Sequence, residues 1–206
     1  MDKINDMEKK LPIFNLEITS DLEDDVEVDT VSLVDRPAIE RSFLMFQEQK
    51  EIKQTFAIQS EEERIISGPL MLSDTPIYRN DDNGEYYVVF TKETIKKIAQ
   101  RFFKKGYQSN VNLMHEQGNL TEGLTMFESW IKDEKRGIKA MKGFEDVPDG
   151  SWFGSFKVDN DEVWKMVKEG KVRGFSVEGQ FNYRKTGDKK MEQLWTNVLD
   201  VLAQIG

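Results

Sequence analysis

The chain has 206 residues, 38% of them hydrophobic and 33% charged, with a formal net charge of −9, which suits one substantial soluble domain, or one domain with an extended arm. The acidic balance argues against a phosphate-binding surface and so against nucleic acid as the main partner, and the absence of cysteine excludes disulfides, thiolate nucleophiles and thiolate metal sites. No run approaches the roughly 18 apolar residues of a membrane span, and the opening Met1-Asp2-Lys3-Ile4-Asn5-Asp6 lacks the apolar stretch of a signal peptide.

In chain order, residues 1–60 read as an arm or a set of edge strands. Leu11 to Ile18 is strand-like, an acidic turn follows at Asp21-Leu22-Glu23-Asp24-Asp25, and Val26, Val28 and Val31 lead into Asp35-Arg36-Pro37, where proline stops regular pairing. From residue 61 to 206 the texture is that of a compact domain. Ile65 to Leu72 and Tyr86 to Phe90 resemble strands, and Arg79-Asn80-Asp81-Asp82-Asn83-Gly84 between them carries the Asn-Gly pair of a hairpin turn. A calcium loop there is excluded, because Arg79 and Phe90 stand where acids are needed.

Thr91 is placed to cap a helix from Lys92 to Lys105, with Ile95, Ile98, Ala99 and Phe102 on one face and Gly106 as its stop. Leu124 to Ile131 and Ser151 to Val158 are further strands. Asp159 and Glu162 are spaced as a capping box for a short helix through Val163, Met166 and Val167, ended by Gly170. A strand from Val172 to Tyr183 follows, and Met191, Leu194, Trp195, Val198, Leu199 and Leu202 recur at helical spacing. Strands outnumber helices and short turns join them, without the strand–helix–strand rhythm of a doubly wound sheet. The fold class this predicts is α+β: a mostly antiparallel β-barrel or sheet with flanking helices.

Two places carry candidate chemistry. In Gly174-Phe175-Ser176-Val177-Glu178-Gly179, alternation sends Phe175, Val177, Phe181 and Tyr183 to one face and Ser176, Glu178, Gln180 and Asn182 to the other. The glycines allow another backbone to come close. A serine on such a face is ordinary scaffolding unless a general base reaches it, and Glu178 stands where the nucleophile elbow of an α/β-hydrolase needs its second glycine. The other place is the chain's one histidine, His115, in Asn110-Val111-Asn112-Leu113-Met114-His115-Glu116-Gln117-Gly118. Val111, Leu113 and His115 share one face of a short extended run, which aims the imidazole from a sheet edge toward a cleft. Zinc is poorly served, since about three or four ligands are needed and neither a second histidine nor a cysteine exists; no cofactor is expected. The Asn119-Leu120-Thr121 glycosylation match carries little weight without secretion.

Seven segments in order carry a family resemblance: Val31-Ser32-Leu33-Val34-Asp35-Arg36-Pro37-Ala38-Ile39, Ser67-Gly68-Pro69-Leu70-Met71-Leu72, Pro76-Ile77-Tyr78-Arg79, Asn112-Leu113-Met114-His115-Glu116, Glu128-Ser129-Trp130-Ile131, Pro148-Asp149-Gly150-Ser151-Trp152 and Gly174-Phe175-Ser176-Val177-Glu178-Gly179. Across residues 28 to 184 the chain resembles the head-maturation (prohead) serine proteases of tailed phages and prophages. The resemblance implies a fold like the herpesvirus assemblin, an antiparallel barrel with surrounding helices. It also implies Ser176 as nucleophile and His115 as its base. Implied substrates are the internal scaffold, removable segments of the capsid protein and the protease itself, acting in the host cytoplasm inside the assembling prohead, with a homo-oligomer as a possible form and no nucleic acid or membrane as partner. For the third triad member Glu178 is preferred to Asp200, which helical spacing places opposite Trp195 and Leu199. No oxyanion donor carries over, because the paired arginines of the viral relatives have no clear counterpart near Arg184. The alternative is a non-enzymatic scaffold or assembly protein of the phage head that keeps the fold.

Overall fold

A strand whose side chains are buried on both faces must lie inside a sheet, and β2 (Val26–Val34) is one: Val31, Ser32, Leu33 and Val34 are all buried. In the computed structural model, which describes residues 13–16, 26–35, 56–81 and 84–181, β2 is flanked by β10 (Gly174–Phe181) and β7 (Val111–Leu113). β10 runs antiparallel to it, with Ser176 opposite Ser32, and β7 runs parallel, with Asn112 opposite Ser32. A second sheet has the order β1 (Ile13–Leu16), β6 (Gly84–Phe90), β5 (Ile77–Asp81). The third is β3 (Ala57–Ser60), β4 (Ile65–Met71), β9 (Trp152–Val158), β8 (Leu124–Ile131).

The class is α+β, with mostly antiparallel pairing and two parallel pairs, β1–β6 and β2–β7. Among the described residues the three sheets do not close into a barrel. Of the strands in residues 1–60, β1 and β3 are edge strands, whereas β2 is interior. The expected hairpin pairs β6 with β5, Asp81 opposite Gly84. Its other arm is therefore not the Ile65 strand, which pairs with β3 and β9 instead.

Helix α1 (Lys92–Lys104) starts as its sequence dictates: Thr91 Oγ1 accepts the Thr94 N–H at 3.2 Å. It stops before Gly106, whose φ of +78° is a left-handed conformation that suits glycine. Its buried face of Ile95, Ile98, Ala99 and Phe102 lies against β2. Helix α2 (Asp161–Lys168) is capped differently from expectation. Asn160, not Asp159, is the N-cap, its Oδ1 accepting from Glu162 and Val163, each at 3.0 Å, so no Asp159–Glu162 capping box forms. The expected helix of Met191 to Leu202 lies outside the described residues. None of the described helices is long and apolar enough to cross a membrane.

The sheets meet through aromatic packing. Phe175 of β10 sits 4.8 Å from Phe156 of β9 and 5.3 Å from Phe56, centroid to centroid, and Phe102 of α1 lies edge-on to Trp152 at 5.4 Å. Burial of these rings holds the Phe175 face of β10 against the core and leaves its polar face on the other side. Near its start, β2 is tied to the end of α1. Glu27 Oε1 accepts from Lys105 Nζ and from Tyr107 Oη, both at 2.7 Å, and these bonds hold its carboxyl below the usual glutamate range.

Pairing of β2 and β10 shifts register between Glu178 and Gly179: Glu178 faces Thr30 and Gly179 faces Val28, so Asp29 is the extra residue of a β-bulge. Gly179 passes so near β2 that a methyl group there would overlap the Glu27 carbonyl oxygen and stand 2.8 Å from Val28 Cα. Backbone, not a movable side chain, is in the way. Gly179→Ala is therefore expected to destabilise the fold by about 3 kcal/mol or more, seen as a drop in Tm on the order of 10 °C. An unchanged melting temperature would show that the two strands do not meet as described.

Candidate active site

The polar face of the β10–β2–β7 sheet is built by register. Ser176, Ser32 and Asn112 lie opposite one another on three successive strands and are 8%, 0% and 2% exposed. Glu178 follows Ser176 on the same face of β10, as alternation requires.

His115 reaches this face by a turn, not by extension. β7 ends at Leu113, and Met114 and His115 then take φ values of +50° and +62°. Two successive left-handed residues that are not glycine cost about 1–3 kcal/mol each and persist only where the surroundings hold them. The surroundings do so here. Met114 N–H donates to the Leu33 carbonyl at 3.0 Å, Glu116 N–H to Leu113 at 3.0 Å and Thr121 N–H back to Val111 at 2.7 Å. The His115 N–H donates to the hydroxyl of buried Ser32 at 3.0 Å. The expectation that Val111, Leu113 and His115 share an extended face is thus corrected: Val111 and Leu113 pack with the core, and the left-handed turn carries the imidazole to the face of Asn112.

There His115 Nδ1 lies 2.8 Å from Glu178 Oε1, and the same oxygen accepts from Asn112 Nδ2 at 3.0 Å. A carboxylate beside Nδ1 selects the tautomer with the proton on Nδ1 and leaves the Nε2 lone pair free. The His115 side chain is 48% exposed and that of Glu178 19%. Ser176 Oγ makes no hydrogen bond to the imidazole, nor to any other described residue. So the structure joins His115 to Glu178 directly and sets Ser176 one alternation away, without closing the last contact. Asp200 and Arg184 lie outside the described residues.

An open cavity of about 600 Å³ adjoins the imidazole, walled by Asp29, Asn112, His115, Leu120, Val177 and Glu178 among others; Ser176 is not part of its wall. Asn112 Oδ1 is buried and accepts no hydrogen bond. No group of three or more His, Asp or Glu among the described residues is arranged to hold a metal ion. Three participants escape a sequence reading: Ser32, Asn112 and the bulge residue Asp29. The first two lie in segments that carry the resemblance, but only strand register reveals that they oppose Ser176.

The family described as "Putative phage serine protease XkdF" matches residues 51–184. Two proteins of Bacillus subtilis (strain 168) are similar. The uncharacterized protein YqbD is 26% identical over 170 residues, 79% of this chain and 47% of its own length. The phage-like element PBSX protein XkdF is 24% identical over 159 residues, 74% of this chain and 52% of its own. The chain thus spans about half the length of the curated relatives it matches. No solved structure matches.

Proposed function

From the chain's membership of the phage serine protease family of XkdF, we propose that it is a serine endopeptidase of phage head maturation, with Ser176 as nucleophile, His115 as general base and Glu178 as the acid that orients the imidazole. The observation that carries this reading is the 2.8 Å contact of His115 Nδ1 with a carboxylate on the strand that bears Ser176.

In the proposed reaction Nε2 takes the Ser176 proton as Oγ attacks a peptide carbonyl. The imidazolium, facing Glu178, then gives that proton to the leaving amine, and water repeats the cycle on the acyl-enzyme. Attack requires the ring to swing toward Ser176, and its half-exposed position leaves room for that rotation. Apo contacts of catalytic pairs are commonly loose and tighten with substrate. The proposed substrates are the internal scaffold, removable capsid-protein segments and the chain itself, within the assembling prohead, and assembly into an oligomer is a reasonable trigger.

A second reading, a head assembly protein that retains the fold without activity, is favoured by the missing Ser176–His115 hydrogen bond and by the burial of Ser176. A fluorophosphonate probe separates the two. A protease forms a covalent adduct that peptide mapping places on Ser176 and that His115→Ala suppresses by about 10²-fold or more. A protein that enters proheads with Ser176 unlabelled is an assembly protein.

A further inference from the structure

We propose that Asn112 is a positioning residue: its amide holds the Glu178 carboxylate in the place where one oxygen meets His115 Nδ1. Its kinetic consequence rests on the protease reading; its effect on the imidazole does not.

Glu178 needs such a hold. Its carboxylate sits at the end of a flexible stem and its side chain is partly exposed, so water competes for it. Among the described residues its side-chain hydrogen bonds are both at Oε1, one with His115 Nδ1 at 2.8 Å and one from Asn112 Nδ2 at 3.0 Å. The half-exposed imidazole cannot by itself fix the pair. Asn112 can, because it is buried on β7, paired in register with Ser32 of β2.

The amide is oriented for this task at the expense of its other end. Nδ2 is its one donor atom and faces Glu178; turned over, Oδ1 would stand against that carboxylate and against the Glu116 carbonyl. Oδ1 is instead left buried with no donor among the described residues, an arrangement rare in folded chains. An apolar side chain of the same size would fill the site without that loose end. A clip for the turn is the plain alternative, since Nδ2 also faces the Glu116 carbonyl, but at 3.5 Å that contact is at the limit of a hydrogen bond. The bond to Glu178 is shorter and is made to a carboxylate, the stronger acceptor.

A carboxylate held at Nδ1 keeps the ring proton there and the Nε2 lone pair open. Without the amide, Glu178 turns toward water and the ring is free to carry its proton on Nε2.

The test reads the ring, the turn and the serine separately in the full chain labelled with ¹⁵N-histidine. With the ring neutral, the wild type is expected to hold the Nδ1–H tautomer, and Asn112→Leu to move about half of the population or more to Nε2–H. The Met114, His115 and Thr121 amides close the turn on the Leu33 carbonyl, the Ser32 hydroxyl and the Val111 carbonyl. Their hydrogen exchange should stay within about twofold of wild type, whereas loss of a mere clip would speed it. Labelling of Ser176 by a fluorophosphonate probe should slow by about tenfold to a hundredfold. If leucine overpacks the site, Asn112→Ala loses the same tie in less volume and is read in the same way. An unmoved tautomer, a shift accompanied by faster exchange, or loss of the fold in both variants overturns the positioning role. Ser176 labelling with an unmoved tautomer sinks that role and leaves the protease standing; a tautomer shift in a chain whose Ser176 never labels does the reverse.

Discussion

Ser176→Ala is expected to lower cleavage of a coexpressed scaffold, and of the chain itself, by about 10⁴- to 10⁶-fold. The size of the effect follows from chemistry: alanine leaves Oγ out of the reaction altogether, and only binding and orientation remain. The variant should also fold normally. The Ser176 hydroxyl makes no hydrogen bond with any described residue, so its removal strands no partner among them, and the side chain lies on the polar face rather than among the aromatic contacts of Phe175. Intact melting with lost cleavage, read by mass spectrometry of the protein termini, is the expected pair of results. Cleavage at the wild-type rate would assign the activity to another group or another protein.

Glu178→Gln is expected to cost about 10²- to 10⁴-fold in kcat with little change in KM. The glutamine amide is the same size, yet its NH₂ can donate where the carboxylate only accepted. Donation to Nδ1 would force the proton onto Nε2, a tautomer that cannot take a proton from serine, whereas the Asn112 amide, which donates to the same oxygen, favours the glutamine carbonyl in that place and with it the original tautomer. The substitution also removes the negative charge that would face the imidazolium of the proposed cycle. Because the chain has a single histidine, the ring nitrogen resonances in ¹⁵N NMR report His115 alone, and which tautomer the variant holds is read without assignment. Wild-type kcat in this variant would remove Glu178 from the mechanism and leave its contact with His115 structural.

Much of the fold was legible because it rests on local rules. Thr91 and Gly106 bracket α1, Leu124 to Ile131 is a strand as its pattern requires, and Gly170 ends α2 with φ +66°. The α2 cap is not decided by sequence, because Asp159 and Asn160 are adjacent and both good caps; only backbone geometry decides between them. β2 reads as part of an arm because its valines suit an edge strand equally well. What makes it interior is pairing with strands about 80 and 140 residues away, and pairing partners are not encoded locally. At the site, Ser176, His115 and Glu178 were reached from residue type, spacing and resemblance. Asn112 and Ser32 were not, since only the pairing register of distant strands sets them beside Ser176, and Asp29 was not, since a bulge, an exception to periodicity, places it.

The family match begins at residue 51, ahead of which lies β2, the strand that joins the other two site strands. Backbone and side-chain links across it span 83 residues from Ser32 to His115, while Asn112 and Glu178 are 66 apart. Contacts of such sequence separation form slowly and only after the distant segments exist. A ribosome that has released β2 and β7 has therefore made the histidine's seat but not its carboxylate or the serine, which arrive together on β10. The order of synthesis acts as a timer: during translation, the proposed competence for cleavage waits for the last described strand to dock beside β2.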